Sequence, residues 1–275
     1  MKKVVDTNWL EQRLDDPELL ILDASQSTSV NKQENAIQGK YIPGAITFNL
    51  KEFSDQYSEL PNTLPSPEYF ERKCRELGIN GTSKIVVYDN AGIYWSPRVW
   101  WMFRVMGHEE IAVLNGGLPA WIKENRATVE SPSQADRPGN FKTNFNKELV
   151  KSIQDINQNL TSQSFHVVDA RSKGRFDGAA PEPREGLKSG HIPDSSNIPH
   201  EDVLNDGYFK SSDELKELFK HTNLDEPLAF SCGSGLTACI VSLAHSLISD
   251  KISPVYDGSW TEWAQSGGPI NTKEA

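Results

Sequence analysis

The feature that most restricts the fold is that the sequence carries the same set of motifs twice. Leu20-Ile21-Leu22-Asp23-Ala24 returns as Val167-Val168-Asp169-Ala170-Arg171, and Tyr41-Ile42-Pro43-Gly44-Ala45 as His191-Ile192-Pro193-Asp194-Ser195. Ile85-Val86-Val87-Tyr88-Asp89-Asn90-Ala91-Gly92 returns as Leu228-Ala229-Phe230-Ser231-Cys232-Gly233-Ser234-Gly235. Leu114-Asn115-Gly116-Gly117 with Trp121 returns as Tyr256-Asp257-Gly258-Ser259 with Trp263. The four pairs keep their order at an offset of about 145 residues, which chance similarity rarely does. A chain of 275 residues has room for two domains that each bury a core. Residues 1–130 and 146–275 are therefore expected to be two copies of one domain. The polar stretch 131–145, with Pro132, Pro138 and Gly139, is expected to link them.

Within each copy, short apolar runs alternate with amphipathic stretches, such as Ser66–Leu77 and Ser212–Lys220. That alternation indicates βαβ units, hence an α/β fold with a mainly parallel sheet flanked by helices. Residues 173–190 of the second copy, rich in glycine and proline, form a long loop; the first copy has a loop at Gln26–Gly39 without its arginines. Loops of that length inside a domain are usually functional.

The formal net charge of -10 argues against a general nucleic-acid binder. Three cysteines, with no Cys-x-x-Cys pair, support neither a disulfide framework nor a structural zinc, so no metal and no cofactor are expected. Met1-Lys2-Lys3-Val4-Val5-Asp6 turns polar at once, and nothing approaches a membrane-spanning run. A protein of a reducing cytoplasm, without nucleic-acid or membrane partners, is the expectation.

The chemistry points to residues 228–248. Leu228 to Phe230 is long enough for a buried strand, and a helical pattern with Ile240, Leu243, Ala244 and Leu247 on one face starts near Thr237. Cys232-Gly233-Ser234-Gly235 lies between them. Two glycines let the backbone curl until successive N–H groups converge at a helix N-terminus, a place that favours an anion. Thiols at such positions ionise readily and act as nucleophiles, whereas a cysteine without that context is usually buried packing. The loop also fits Gly-x-Gly-x-x-Ala, but a dinucleotide fold needs a second half downstream, and the repeat assigns this loop to the fourth strand of a small domain. A cysteine phosphatase needs an arginine closing the cradle, and none follows Cys232.

The tandem repeat, the paired Asp-Ala motifs and the His-Ile-Pro turn resemble the two-domain rhodanese sulfurtransferases over nearly the whole chain. Cys232-Gly233-Ser234-Gly235-Leu236-Thr237-Ala238 is similar to the loop of the 3-mercaptopyruvate branch of that family, whereas the thiosulfate branch carries basic residues after the cysteine. The resemblance implies two tandem rhodanese-like domains, the first inactive because Asp89 stands where the cysteine would be. It implies an enzyme that takes sulfur from 3-mercaptopyruvate as a Cys232 persulfide. The acceptor would be cyanide or a thiol, such as a small thiol or a thioredoxin-like protein. Thiosulfate:cyanide transfer and a persulfide carrier in a sulfur relay are the alternatives. Arg175 and Arg184 match the family's arginines for the donor's carboxylate and keto oxygen, a task suited to a planar donor fork; the bland reading pairs them with Glu182 or Glu185. Ser234 is expected to hydrogen-bond the sulfur or the donor's carbonyl, and Gly233, Gly235, Leu236 and Thr237 to complete the donor site, with Thr237 capping the helix. Asp89 is expected to bond the amides of its own loop and to help hold the domains together.

One departure stands out. The family often has a histidine before Leu-Pro in the first copy with an acid upstream; here Asn62 precedes Thr63-Leu64-Pro65, and Lys51 replaces the acid. His191 belongs to the structural turn, Cys239 to helix packing, Cys74 to a charged helix, and the seven tryptophans to core and interdomain packing.

Overall fold

The protein was analysed as a computed structural model, which describes residues 1–26, 37, 39–222, 226–249 and 251–273. The expected first-copy loop Gln26–Gly39 falls largely outside them. Two sheets carry the same topology. In the first, β1 (Val4–Val5), β2 (Leu19–Asp23), β3 (Ile46–Thr47), β4 (Lys84–Tyr88) and β5 (Ile111–Leu114) are all parallel, in the order β1-β5-β4-β2-β3. In the second, β6 (Val150–Lys151), β7 (His166–Asp169), β8 (Ser196–Asn197), β11 (Leu228–Ser231) and β12 (Val255–Tyr256) repeat it as β6-β12-β11-β7-β8. The short strands β9 (Leu204–Asn205) and β10 (Tyr208–Phe209) lie outside both. Parallel strands covered on both faces need continuous apolar runs. β11 is buried throughout, and β4 is buried from Ile85 to Tyr88.

The helices form where the amphipathic pattern places them. Among the described residues the first copy carries α1 (Thr7–Glu11), α2 (Pro67–Glu76), α3 (Ser96–Val105) and α4 (Gly117–Lys123). The second carries α5 (Ile153–Ser162), α6 (Lys173–Phe176), α7 (Ser212–Phe219), α8 (Thr237–Ser246) and α9 (Ser259–Gln265). Ser66 starts α2 by accepting the Tyr69 amide at 3.2 Å, with Pro67 at the first helical position, where its missing N–H costs nothing. Ser211 and Glu214 form a capping box on α7. Trp100, Trp101, Trp121, Trp260 and Trp263 are fully buried. No described helix is long and apolar enough to cross a membrane.

By packing, the chain divides into one unit of residues 1–56, 64–146 and 206–209 and another of 57–63, 147–205 and 210–275. The stretch expected as linker belongs to the first unit. Phe141 is 1 % exposed, with Phe70, Phe103 and His108 ring centres 6.0, 5.8 and 5.6 Å away. The Arg75 Nε also donates to its carbonyl at 2.8 Å. A single aromatic in a polar stretch carries no periodicity, so only the tertiary fold reveals this anchor.

Asp23 and Asp169, the acids of the paired motifs, end β2 and β7 in register with Tyr88 and Ser231. Both therefore lie beside the residue that precedes the repeated loop. Burial pushes the Asp23 carboxyl up to about 6, against opposing hydrogen bonds from the Ser25 hydroxyl and amide. Its folded value lies above the ordinary 3.8, so the protonated form favours folding. That stability is complete below the unfolded value and is lost as pH rises through the folded one. Asp23→Asn should therefore gain on the wild type by about 2–3 kcal/mol between acid and neutral pH. Denaturant unfolding at several pH values checks it, and a constant difference would contradict the burial argument.

Candidate active site

At the C-terminal end of β11 the chain turns through Cys232–Leu236 into α8, the side of a parallel sheet where ligand sites form. Cys232 is 1 % exposed, and Gly235 takes φ 73°, a left-handed conformation that glycine adopts without steric cost. The start of α9 clamps this turn. The Trp260 amide donates to the Cys232 carbonyl at 2.9 Å and the Thr261 amide to the Gly233 carbonyl at 3.0 Å. The Thr261 hydroxyl donates to the same Gly233 carbonyl at 2.6 Å. The first copy repeats one of these bonds, from the Leu118 amide to the Asp89 carbonyl at 3.0 Å.

Ser259 closes the underside. Its hydroxyl accepts the amides of Cys232 (3.2 Å) and Gly235 (3.0 Å) and donates to the Tyr256 carbonyl (2.7 Å). The residue is fully buried and has φ 51°. Its counterpart Gly117 also has positive φ, but a Cβ there would meet the Asp89 carbonyl at 2.5 Å and that of Gly92 at 2.4 Å. The second copy thus accepts a side chain where the first cannot, and its hydroxyl ties both ends of the cysteine turn. Ser259→Ala would leave those buried groups unpaired, at a cost of about 2 kcal/mol. Ser259→Gly should cost less stability, because glycine relieves the positive φ, yet both variants should lose turnover. Thermal melts beside kinetics test this; equal melting of the two variants would count against it.

The two loops differ in what their amides hold. Asp89 turns its carboxylate into its own loop, where Oδ1 accepts from the Ala91 amide at 2.9 Å. Its Oδ2 accepts from the Tyr94, Trp95 and Ser96 amides (3.1, 3.0 and 2.8 Å) and the Ser96 hydroxyl (2.6 Å). A fully buried carboxylate is held as an anion would be, as expected for Asp89. Among the described residues of the second copy no such carboxylate reaches in. Among the described residues nothing accepts the amides of Ser234, Leu236, Thr237 and Ala238. Thr237 does not cap α8: the N-cap is Leu236, without a side-chain bond. Thr237 is already helical, so its hydroxyl cannot reach the amides that an N-cap oxygen accepts. The first-turn donors thereby stay open toward an anion.

Both loop arginines come to this turn. A Cβ built on Gly233 would stand 3.1 Å from Arg175 Nη2 and 4.0 Å from Arg184 Nη1. Arg184 is exposed and donates to the Thr261 hydroxyl at 3.3 Å. Arg175 realises the pairing with Glu182 as well: Nε and Nη2 donate to its two carboxylate oxygens at 3.1 and 2.5 Å. Glu182 also accepts from Arg171 Nη1 at 2.8 Å. Arg171 is buried over the Trp260 ring and forks onto Asp169.

Ser234 is 8 % exposed, and its hydroxyl accepts from Asn62 Nδ2 at 3.1 Å. Asn62, at φ 60°, thus meets the cysteine loop where the resemblance has a histidine, and it brings an amide that does not titrate. His191 stacks on Phe176 at 3.9 Å and bonds its carbonyl, as a structural turn residue does. Cys74 is buried, and burial pushes its thiol well above the ordinary range. Cys239 donates to the Gly235 carbonyl at 3.2 Å. Sequence reasoning missed Ser259, Thr261 and the double role of Glu182. The one signal was Ser259 standing opposite a glycine of the repeat.

The Rhodanese-like domain family matches residues 6–124 and again 152–266. A thiosulfate/3-mercaptopyruvate sulfurtransferase of Arabidopsis thaliana is 40% identical, over 99% of this chain and 79% of its own. A thiosulfate sulfurtransferase of Rattus norvegicus is 39% identical, over 98% of this chain and 94% of its own. The crystal structure of SseA from Escherichia coli, described with the rhodanese fold and 3-mercaptopyruvate sulfotransferase mechanism, superposes with TM-score 0.83 at 34% identity. It covers 94% of this chain and 99% of that one. With the duplicated sheet, the repeated loop and these two family matches, the chain belongs to the rhodanese family, as a member with two rhodanese-like domains in tandem.

Proposed function

We propose that this rhodanese-type sulfurtransferase takes sulfane sulfur from 3-mercaptopyruvate, holds it as a persulfide on Cys232 and passes it to a thiol or cyanide. The second copy is catalytic. The first, with Asp89 filling its own amide cradle, is not. The observation that carries the donor is the convergence of Arg175 and Arg184 over Gly233, one residue beyond Cys232. A compact dianion such as thiosulfate calls for charge directly beside the sulfur, whereas mercaptopyruvate extends a carboxylate and a keto oxygen away from it, toward these guanidinium groups.

The Cys232 thiolate attacks the donor's sulfur, and the carbon–sulfur bond breaks toward carbon. The resulting enolate takes a proton and leaves as pyruvate; with thiosulfate, the sulfur–sulfur bond would break and sulfite leave. Open amides of the loop and of the α8 N-terminus bear the persulfide's negative charge. The Ser234 hydroxyl accepts from Asn62, so its own proton is available to the sulfur or the donor's carbonyl. Gly235 shapes the cradle, Gly233 leaves room for the arginines, and the Leu236 and Thr237 amides complete it. An acceptor thiolate then attacks the outer sulfur and releases Cys232.

The resolving thiol comes from outside, a small thiol or a thioredoxin-like protein, because Cys239 is engaged with the Gly235 carbonyl. A reducing, cytoplasmic setting agrees with three free, buried cysteines. Intact-mass measurement after 3-mercaptopyruvate, thiosulfate or buffer tests the reading. One added sulfur on Cys232 with mercaptopyruvate, removed by cyanide or a thiol, is expected. No added sulfur with either donor would refute it.

A further inference from the structure

Glu182 is the unusual group of the second copy. Its side chain is 2 % exposed, yet it sits in a loop whose neighbours Pro181, Pro183 and Arg184 are exposed. Burying a carboxylate is costly unless it is paired. Here one oxygen accepts from both Arg171 and Arg175 and the other from Arg175 alone. Arg171 is fully buried, stacked on Trp260 at 4.1 Å and bonded to Asp169 and the Gly190 carbonyl. The carboxylate therefore ties Arg175 to a fixed point, with Nη2 facing Gly233.

We infer that Glu182 is a positioning and charge-setting residue of the donor site, which makes that site select a donor carrying one negative charge over one carrying two. The inference rests on the sulfurtransferase reading above. The hydrogen-bonded network of Asp169, Arg171, Glu182 and Arg175 holds equal numbers of positive and negative charges. Exposed Arg184 adds one more positive charge. These five side chains leave one net positive charge beside the loop for the single carboxylate of mercaptopyruvate. Thiosulfate would bring a second negative charge to within reach of buried Glu182, with nothing in the network to balance it. Losing the Glu182 charge should thus favour the dianion. A unit charge several ångström from the ligand shifts its binding by about tenfold or more at the dielectric of a protein surface.

The test compares kcat/KM for thiosulfate and for 3-mercaptopyruvate on the same preparations of wild type, Glu182→Gln and Glu182→Asp, so that any inactive fraction cancels. In E182Q the thiosulfate-to-mercaptopyruvate ratio should rise about tenfold. E182D keeps the charge but draws it back from Arg175, so the ratio should rise no more than about threefold, through mercaptopyruvate binding alone. Its KM for mercaptopyruvate should rise about threefold with kcat little changed, as expected when a binding group is misplaced. An unchanged ratio in E182Q would overturn the inference. If E182Q does not fold, E182D decides: a raised KM at constant kcat upholds the positioning role, and an unchanged KM overturns it. A wild type that takes sulfur from neither donor would instead remove the sulfurtransferase reading itself.

Discussion

Cys232→Ser should abolish sulfur transfer from any donor, while Cys74→Ser and Cys239→Ser should retain most of it. A serine hydroxyl in the same cradle cannot hold a sulfur atom that another thiol can collect, so the loss is of the step itself and not of an increment of binding. Nor can the remaining thiols substitute. Cys74 is fully buried in the first copy, where desolvation keeps it in the unreactive thiol form. Cys239 differs from the equally buried Cys232 in that its thiol donates to the Gly235 carbonyl at 3.2 Å. Steady-state turnover and the mass of the donor-treated protein measure this together. Appreciable turnover by the Cys232 variant would rule out the persulfide mechanism.

Arg184→Ala should lower kcat/KM for 3-mercaptopyruvate by about 2 kcal/mol, roughly 30-fold, from the strength of a hydrogen bond to a charged group. The thiosulfate value should fall less, since that donor has no carboxylate reaching beyond the loop. Arg184 suits the test because it is exposed and, among the described residues, its side chain gives the protein a 3.3 Å bond to Thr261 alone. Arg175→Ala would confound binding with folding, because it strips the buried Glu182 carboxylate of one partner. Melting curves should show that difference, with the Arg184 variant close to wild type and the Arg175 variant well below it. Unchanged mercaptopyruvate kinetics in the Arg184 variant would remove the donor assignment and leave the sulfurtransferase class standing.

The thiosulfate branch's basic residues after the cysteine meet an obstacle in this fold. A side chain at position 233 would begin 3.1 Å from Arg175 Nη2, so an arginine there would compete for space with the carboxylate clamp as well as add charge. With a side chain there the Arg175 guanidinium would have to give by a few tenths of an ångström, so a glycine leaves the clamp undisturbed.

The sequence by itself determined the duplication, the parallel α/β architecture and the placing of Cys232 between a buried strand and a helix. Those signals are local: apolar runs of strand length, helical periodicity in Ser66–Leu77 and Ser212–Lys220, and glycines around a cysteine. The two arginines were visible as charges in a long loop, and the role expected of them came from the resemblance to the family. Tertiary structure alone decided what holds the cysteine turn and what surrounds it. Ser259 reaches Cys232 and Gly235 across 27 and 24 positions, and Asn62 reaches Ser234 across 172. A serine, an asparagine or a glutamate carries no mark of such a partner in its immediate neighbours. Phe141 joins its aromatic cluster from a stretch whose polarity predicts a free linker. Glu182 is charged and sits in a loop, so by composition it belongs in water. It is buried because the fold places two guanidinium groups around it, and a carboxylate so paired is stable where an unpaired one would not be.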